Sequence, residues 1–170
     1  PLIEVINSYK INNSFFSENN IPNNKQVVAF LPGSRVQEIK TMLPIFLSII
    51  SKYPNYNFII AGVNNVDPNI YNIAPYSNLF IVYNQTYDLL TNSFAAIVTS
   101  GTASLECSLF KVPQLVCYKT SGLSFIIGKL FVKLKYISLV NIILENNIIK
   151  ELIQNDLNEK NLSYEFDKLC

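Results

Sequence analysis

The chain has 170 residues, 49% hydrophobic and 15% charged, with a formal net charge of +1. Such a composition suits one globular domain with a real core. It excludes a disordered tail and gives no whole-domain attraction for nucleic acid. Histidine is absent, which removes imidazole ligands and imidazole bases from these residues.

Asparagine clusters such as Asn12-Asn13, Asn19-Asn20 and Asn23-Asn24 read as compositional bias as much as function. Cys107, Cys117 and Cys170 lack CxxC spacing and are odd in number, so they read as reduced cytosolic thiols and not as a disulfide framework or zinc site. No run approaches the ~18–20 apolar residues of a spanning helix. The longest candidate, residues 123–134, is cut by Gly128, Lys129 and Lys133. Without a start methionine or signal peptide, the chain reads as a fragment that begins inside a longer protein.

In chain order, residues 2–11 carry Leu2, Ile3, Val5 and Ile6 and read as a short helix, and residues 12–25 read as a polar, Asn-rich linker. From Gln26 onward, short apolar runs at 27–31, 57–61, 79–83, 95–99 and 114–118 have the length and near-continuous hydrophobicity of parallel strands covered on both faces. Between them, residues 37–52 place Ile39, Leu43, Phe46 and Ile50 on one helical stripe, with a kink or restart expected at Pro44. Shorter helices are expected at 87–93 and 102–110, and a loop with at most one helical turn at 64–78. Beyond Tyr118 the pattern changes to segments 121–135 and 138–143, followed by helices from 148 to the end. This alternation predicts an α/β fold with a doubly wound, mostly parallel sheet.

In such sheets ligands sit beyond the carboxyl ends of the strands, and two strand ends carry distinctive chemistry. The first is Leu31-Pro32-Gly33-Ser34-Arg35. Gly33 permits a tight turn, Ser34 with Gln37 fits a capping box, and Arg35 in the first helical turn can meet an anion. A plain strand–turn–helix with a solvated arginine explains the same residues. The second is Thr99-Ser100-Gly101-Thr102-Ala103-Ser104-Leu105-Glu106. Small residues at a helix start open the backbone amides to phosphate, and Glu106 shares a helix face with Thr102, roughly 6 Å further along. That arrangement suits a nucleoside diphosphate, with the carboxylate accepting from two ribose hydroxyls. A capped helix with an exposed glutamate is the alternative. Neither GxxxxGK[ST] nor GxGxxG is present.

The run LPGSRVQEIKTMLPIF (31–46), VTSGTASLE (98–106), VPQLVCYK (112–119), YISLVNII (136–143) and ELIQ (151–154) together closely resemble the lipid-A-disaccharide synthases, in the same order and over essentially the whole chain. Pro1-Leu2 fits the end of that family's GHPL stretch. The resemblance implies a Rossmann-like carboxyl-terminal, donor-binding half of a glycosyltransferase-B fold. Residues 1–25 would then be an interdomain helix and linker, and residues 26–170 a UDP-sugar-binding domain. The implied reaction moves 2,3-diacylglucosamine from its UDP derivative to 2,3-diacylglucosamine 1-phosphate, forming the β-1,6 lipid A disaccharide precursor and UDP. It would proceed without metal, at the cytoplasmic face of the inner membrane, with homodimerisation in the full-length protein. The catalytic base is expected in the missing amino-terminal half, so none is assigned here.

Carried over by position, Arg35 would meet the diphosphate, Gly33 and Ser34 would belong to the same nucleotide- and donor-binding set, and Ser100, Gly101 and Thr102 would hold the phosphates. Glu106 would take the ribose, with Asn141 and Gln154 on the donor-sugar side. Val140 and Lys150 stand where the family commonly has proline, so these loops are expected to differ slightly in path.

Residues 121–136 combine Phe125, Ile126, Ile127, Leu130 and Phe131 with Lys129 and Lys133, an i, i+4 pair. They suit an anionic membrane surface or the lipid acceptor, or equally a buried helix whose lysines snorkel. Two other readings stay open. One is another UDP-sugar enzyme of the same fold, such as a UDP-N-acetylglucosamine epimerase or a cell-wall glycosyltransferase. The other is a flavodoxin-like binding module without enzymatic activity.

Overall fold

Strands that are apolar on both sides require a layer of helices on each face, and the chain folds accordingly. In the computed structural model, residues 2–71, 76–99, 101–120 and 135–170 are described. Two short helices, α1 (Leu2–Asn7) and α2 (Phe15–Glu18), precede β1 (Gln26–Leu31) and α3 (Val36–Leu47). A 3₁₀ turn at Ile50–Lys52 leads to β2 (Tyr56–Gly62), and another at Pro68–Tyr71 leads to β3 (Leu79–Tyr83). Then follow α4 (Thr86–Thr91), β4 (Ala95–Thr99), α5 (Thr102–Leu109) and β5 (Gln114–Tyr118). The described chain closes with α6 (Leu139–Ile143), β6 (Glu151–Ile153), a 3₁₀ turn at Gln154–Asp156 and α7 (Glu159–Leu169).

The sheet is six-stranded in the order β3-β2-β1-β4-β5-β6, and every neighbouring pair is parallel. This is the doubly wound α/β topology that the alternation predicts. Alternate residues of each strand enter opposite cores. Val28, Phe30, Phe58, Ile60, Ile97 and Leu115 pack with Ile39, Met42 and Phe46 of α3 and with Leu162 and Phe166 of α7. Val27, Ala29, Leu31, Ile59, Ala96 and Val98 face the other way, onto Phe15, Leu89, Leu90 and Cys107. Phe166 is fully buried and lies 4.7 Å, ring to ring, from Tyr53. All three cysteines are free, and burial pushes the Cys107 thiol up to about 12.

The expected strands form, but three local expectations need correction. Residues 12–25 are more than a polar linker, because α2 buries Phe15 completely and Ile21, just beyond it, is almost as buried. Residues 151–153, expected to be helical, form the edge strand β6, which pairs with Val116–Tyr118 of β5. Helix α3 begins at Val36 with Arg35 as its N-cap, so Ser34 does not open it, and it runs through Pro44 before ending at Leu47. Pro44 and Lys40, whose carbonyl loses its usual partner, both lie on the exposed face, within reach of solvent. The basic segment containing Lys129 and Lys133 lies outside the described residues, as does Ser100.

Candidate functional site

Strand order reverses between β1 and β4. The helix after β1 joins one core and the helix after β4 joins the other, so the two loops diverge and open a crevice between them. Register sets them level, because Leu31 pairs with Val98 in the last rungs of the ladder. A cleft of about 330 Å³ results, lined by Gly33, Ser34, Arg35 and Glu38 from one side and by Thr99, Gly101, Thr102 and Glu106 from the other. Ala61 and Val63, at the end of β2, and Thr86 complete its wall.

The first loop is built around Gly33, whose φ of +108° favours glycine. A Cβ there would come within 2.6 Å of the Glu38 carboxylate and 2.8 Å of its Cβ. That closeness has a local structural use, because Glu38 reaches back across the turn. Its Oε2 accepts from the Ser34 and Arg35 amides at 3.2 and 3.4 Å, and its Oε1 accepts from the Arg35 guanidinium at 3.1 Å. The expected Ser34/Gln37 box is thus replaced by a Glu38 reach-back one residue later, which the same principle allows at N3. The Arg35 side chain is 83% exposed. An ion pair so exposed is weak, so Arg35 stands at the rim of the cleft in a contact it can exchange for phosphate.

The second loop turns at Gly101, with φ +125° and ψ −152°, a region almost restricted to glycine. A Cβ there would meet nothing within 4 Å, so the backbone faces open space. Gly101 is also the N-cap of α5 and has no side chain with which to cap it. The first amides of a helix find no partner within the helix and carry its positive end, so this corner is disposed to receive an anion. One turn on, Glu106 is half-buried in the same cleft. Burial raises its pKa above the ordinary carboxylate range, and a hydrogen bond from the Tyr87 hydroxyl (3.3 Å) pulls it partly back.

The structure therefore brings Gly33, Ser34, Arg35, Gly101, Thr102 and Glu106 into one cleft. Asn141 does not join them. It is fully buried, and its Nδ2 donates to the Ile149 carbonyl (2.7 Å) and to Glu151 (2.9 Å). Its Oδ1 accepts from the amides of Ile148 and Ile149. An amide side chain has no capacity beyond these bonds, so the expected donor-sugar contact gives way to a structural role. Gln154 sits at the end of β6 with φ +52° and accepts from the Thr120 amide at 3.0 Å. Thr120 lines a second hollow of about 760 Å³ that shares Arg35, Glu38 and Thr99 with the cleft and adds Lys40 and Lys119.

Three residues escaped the sequence reading. Glu38 supplies the reach-back, and Tyr87 contacts Glu106. Thr99 is 4% exposed, and its hydroxyl finds no partner among the described residues although it borders both hollows. Its only sequence signal was its place as the last residue before Ser100-Gly101.

A model of the lipid-A-disaccharide synthetase family matches residues 1–169. The chain is 35% identical to the lipid-A-disaccharide synthase of Persephonella marina, over 96% of this chain and 46% of that protein. It is 39% identical to that of Psychromonas ingrahamii, over 81% and 38%. It spans about half the length of the curated relatives it matches, or somewhat less. Solved structures share the fold at low identity. A putative UDP-N-acetylglucosamine 2-epimerase from Listeria monocytogenes aligns with a TM-score of 0.64 at 15% identity, covering 98% of this chain and 42% of that one. ADP-heptose lps heptosyltransferase II of E. coli aligns at 0.60 and 8%, covering 94% and 52%. Together, the family match and the relatives' identity show that this chain belongs to the lipid-A-disaccharide synthase family.

Proposed function

We propose that this chain is the donor-binding part of a lipid-A-disaccharide synthase. In the reaction, the 6-hydroxyl of 2,3-diacylglucosamine 1-phosphate attacks C1 of UDP-2,3-diacylglucosamine. The bond from C1 to the diphosphate breaks, the β-1,6 linkage forms, and UDP leaves. The hydroxyl proton passes to a base outside these residues. As the bond breaks, charge gathers on the diphosphate, and donors fixed in advance around it lower the barrier. Arg35 and the amides at the start of α5 fill that role in place of a metal, while Glu106 accepts from the ribose.

The observation that carries this reading is the meeting of the Gly33–Arg35 and Gly101–Glu106 loops in one cleft at the strand-order reversal. Calorimetry of the complete protein with UDP tests it: Glu106→Ala weakens binding, and unchanged affinity rejects the ribose role. UDP-sugar turnover that requires a lipid acceptor separates this reading from an epimerase.

Among the described residues no helix is long and apolar enough to cross a membrane. Peripheral contact with the inner membrane is part of the proposal, supported by the exposed Ile143, Leu144 and Ile148 and by the lysines at 129 and 133. A homodimer of the full-length protein and the absence of nucleic acid among its partners belong to the same reading.

A further inference from the structure

We propose that Tyr87 is a positioning residue for Glu106, its hydroxyl fixing the rotation of the carboxylate so that the group meets a ribose diol. This rests on the nucleotide reading above and concerns how that site achieves its geometry. A carboxylate on a flexible stem can turn about its last bond, and a single donor on one oxygen suffices to set that angle. Tyr87 supplies the donor, reaching from α4 across to Glu106 Oε1 on α5 at 3.3 Å. The bond is long for a hydroxyl donor, as bonds in ligand-free sites often are before the complex tightens them.

Tyr87 is itself held. Its ring meets Tyr9 edge-on at 5.4 Å and Phe110 at 5.1 Å, and Tyr9 and Phe110 touch at 6.0 Å. Tyr9 also donates to Asp88, the next residue of α4, at 2.6 Å. Three mutually packed rings leave the Tyr87 hydroxyl little freedom to leave Glu106. Burial and the neighbouring Glu106 charge both raise the Tyr87 pKa, so the phenol keeps its proton and remains a donor throughout the neutral range.

The test uses the complete protein, titrated with UDP and with 2′,3′-dideoxyuridine 5′-diphosphate, which lacks the diol. Tyr87→Phe keeps the ring and removes the donor. The expected result is a UDP affinity about tenfold weaker, in line with one hydrogen bond to a charged group, with dideoxy-UDP affinity unchanged. In a Glu106→Ala background, which leaves the Tyr87 hydroxyl no side-chain acceptor at that position, Tyr87→Phe is expected to have no further effect. Equal weakening of both nucleotides, or of neither, overturns the proposal.

A second readout is the pH at which UDP affinity changes as Glu106 titrates, measured relative to dideoxy-UDP. The titratable groups around Glu106 are Tyr87 on α4, Arg35 and Glu38 across the cleft, and Cys107 beside it on α5. Removing the Tyr87 donor is expected to move that midpoint upward; a midpoint that stays in place counts against the proposal. If Glu106→Gln binds UDP as the parent does, the ribose role of Glu106 fails, and the positioning role with it. If Glu106→Gln weakens binding and Tyr87→Phe does not, only the positioning role fails.

Discussion

The cleft between β1 and β4 and the knot around Asn141 are both polar and both follow strands of one sheet, yet they treat their polar groups in opposite ways. In the knot, Asn141 spends every hydrogen bond it has, while Glu151 also accepts from the Ile137 and Ser138 amides at 3.0 and 2.9 Å. In the cleft, α5 begins at a glycine, Arg35 is exposed on a weak pair, and the Thr99 hydroxyl is buried without a partner among the described residues. Buried polar groups are normally satisfied. A saturated cluster is therefore architecture, whereas a set of unsatisfied or exchangeable donors arranged round a hollow is what the proposed binding site requires. Sequence motifs mark both regions equally, and only the accounting of partners separates them.

The sharpest way to break this contrast is Asn141→Ala. It strips partners from buried amides and carbonyls, and the expected loss is about 3–5 kcal/mol, seen as a lower denaturant midpoint. UDP affinity of the folded fraction should not change, and a selective loss of UDP binding would return Asn141 to the site. Glu106→Ala should do the reverse. Two hydrogen bonds to a charged group are removed, so UDP affinity should fall about 100-fold in calorimetry while stability holds.

Gly33→Ala should do both, since its φ of +108° and the approach to Glu38 predict a loss of about 1–3 kcal/mol along with weaker UDP binding. Arg35→Ala should lower UDP affinity about tenfold with almost no change in melting, because its ion pair with Glu38 is exposed.

The smallest effect is the pH dependence of Glu106. Burial raises its folded pKa above the unfolded value, so its contribution to stability is full below the ordinary carboxylate pKa and is lost as pH rises through the raised value. UDP, which needs the ionised form, should bind more tightly over that same window. Thermal melting and calorimetry of the parent against Glu106→Gln, across mildly acidic pH, would show whether this difference exists.

Much of this was legible in the sequence. Five strands were readable because runs such as Ala95–Thr99, buried at every position, admit no amphipathic pattern and so declare a two-sided sheet. The two loops were readable because glycine and small residues after a strand have few other uses. β6 was not readable: an edge strand of three residues needs only one buried position, Leu152, and leaves no periodicity. Phe15 was hidden among asparagines, although one aromatic ring is enough to anchor α2 on the sheet. The burial of Asn141 was out of reach, since its partners lie seven to ten residues away in a loop whose path no local rule predicts. Tyr87 and Glu106 meet only because α4 and α5 cover the same face.

A crystal structure of the complete protein with UDP tests the central claim most directly. The diphosphate should lie between the Arg35 guanidinium and the first amides of α5, with the ribose diol on Glu106. UDP bound away from the cleft, or touching one loop and leaving the other in solvent, would contradict it.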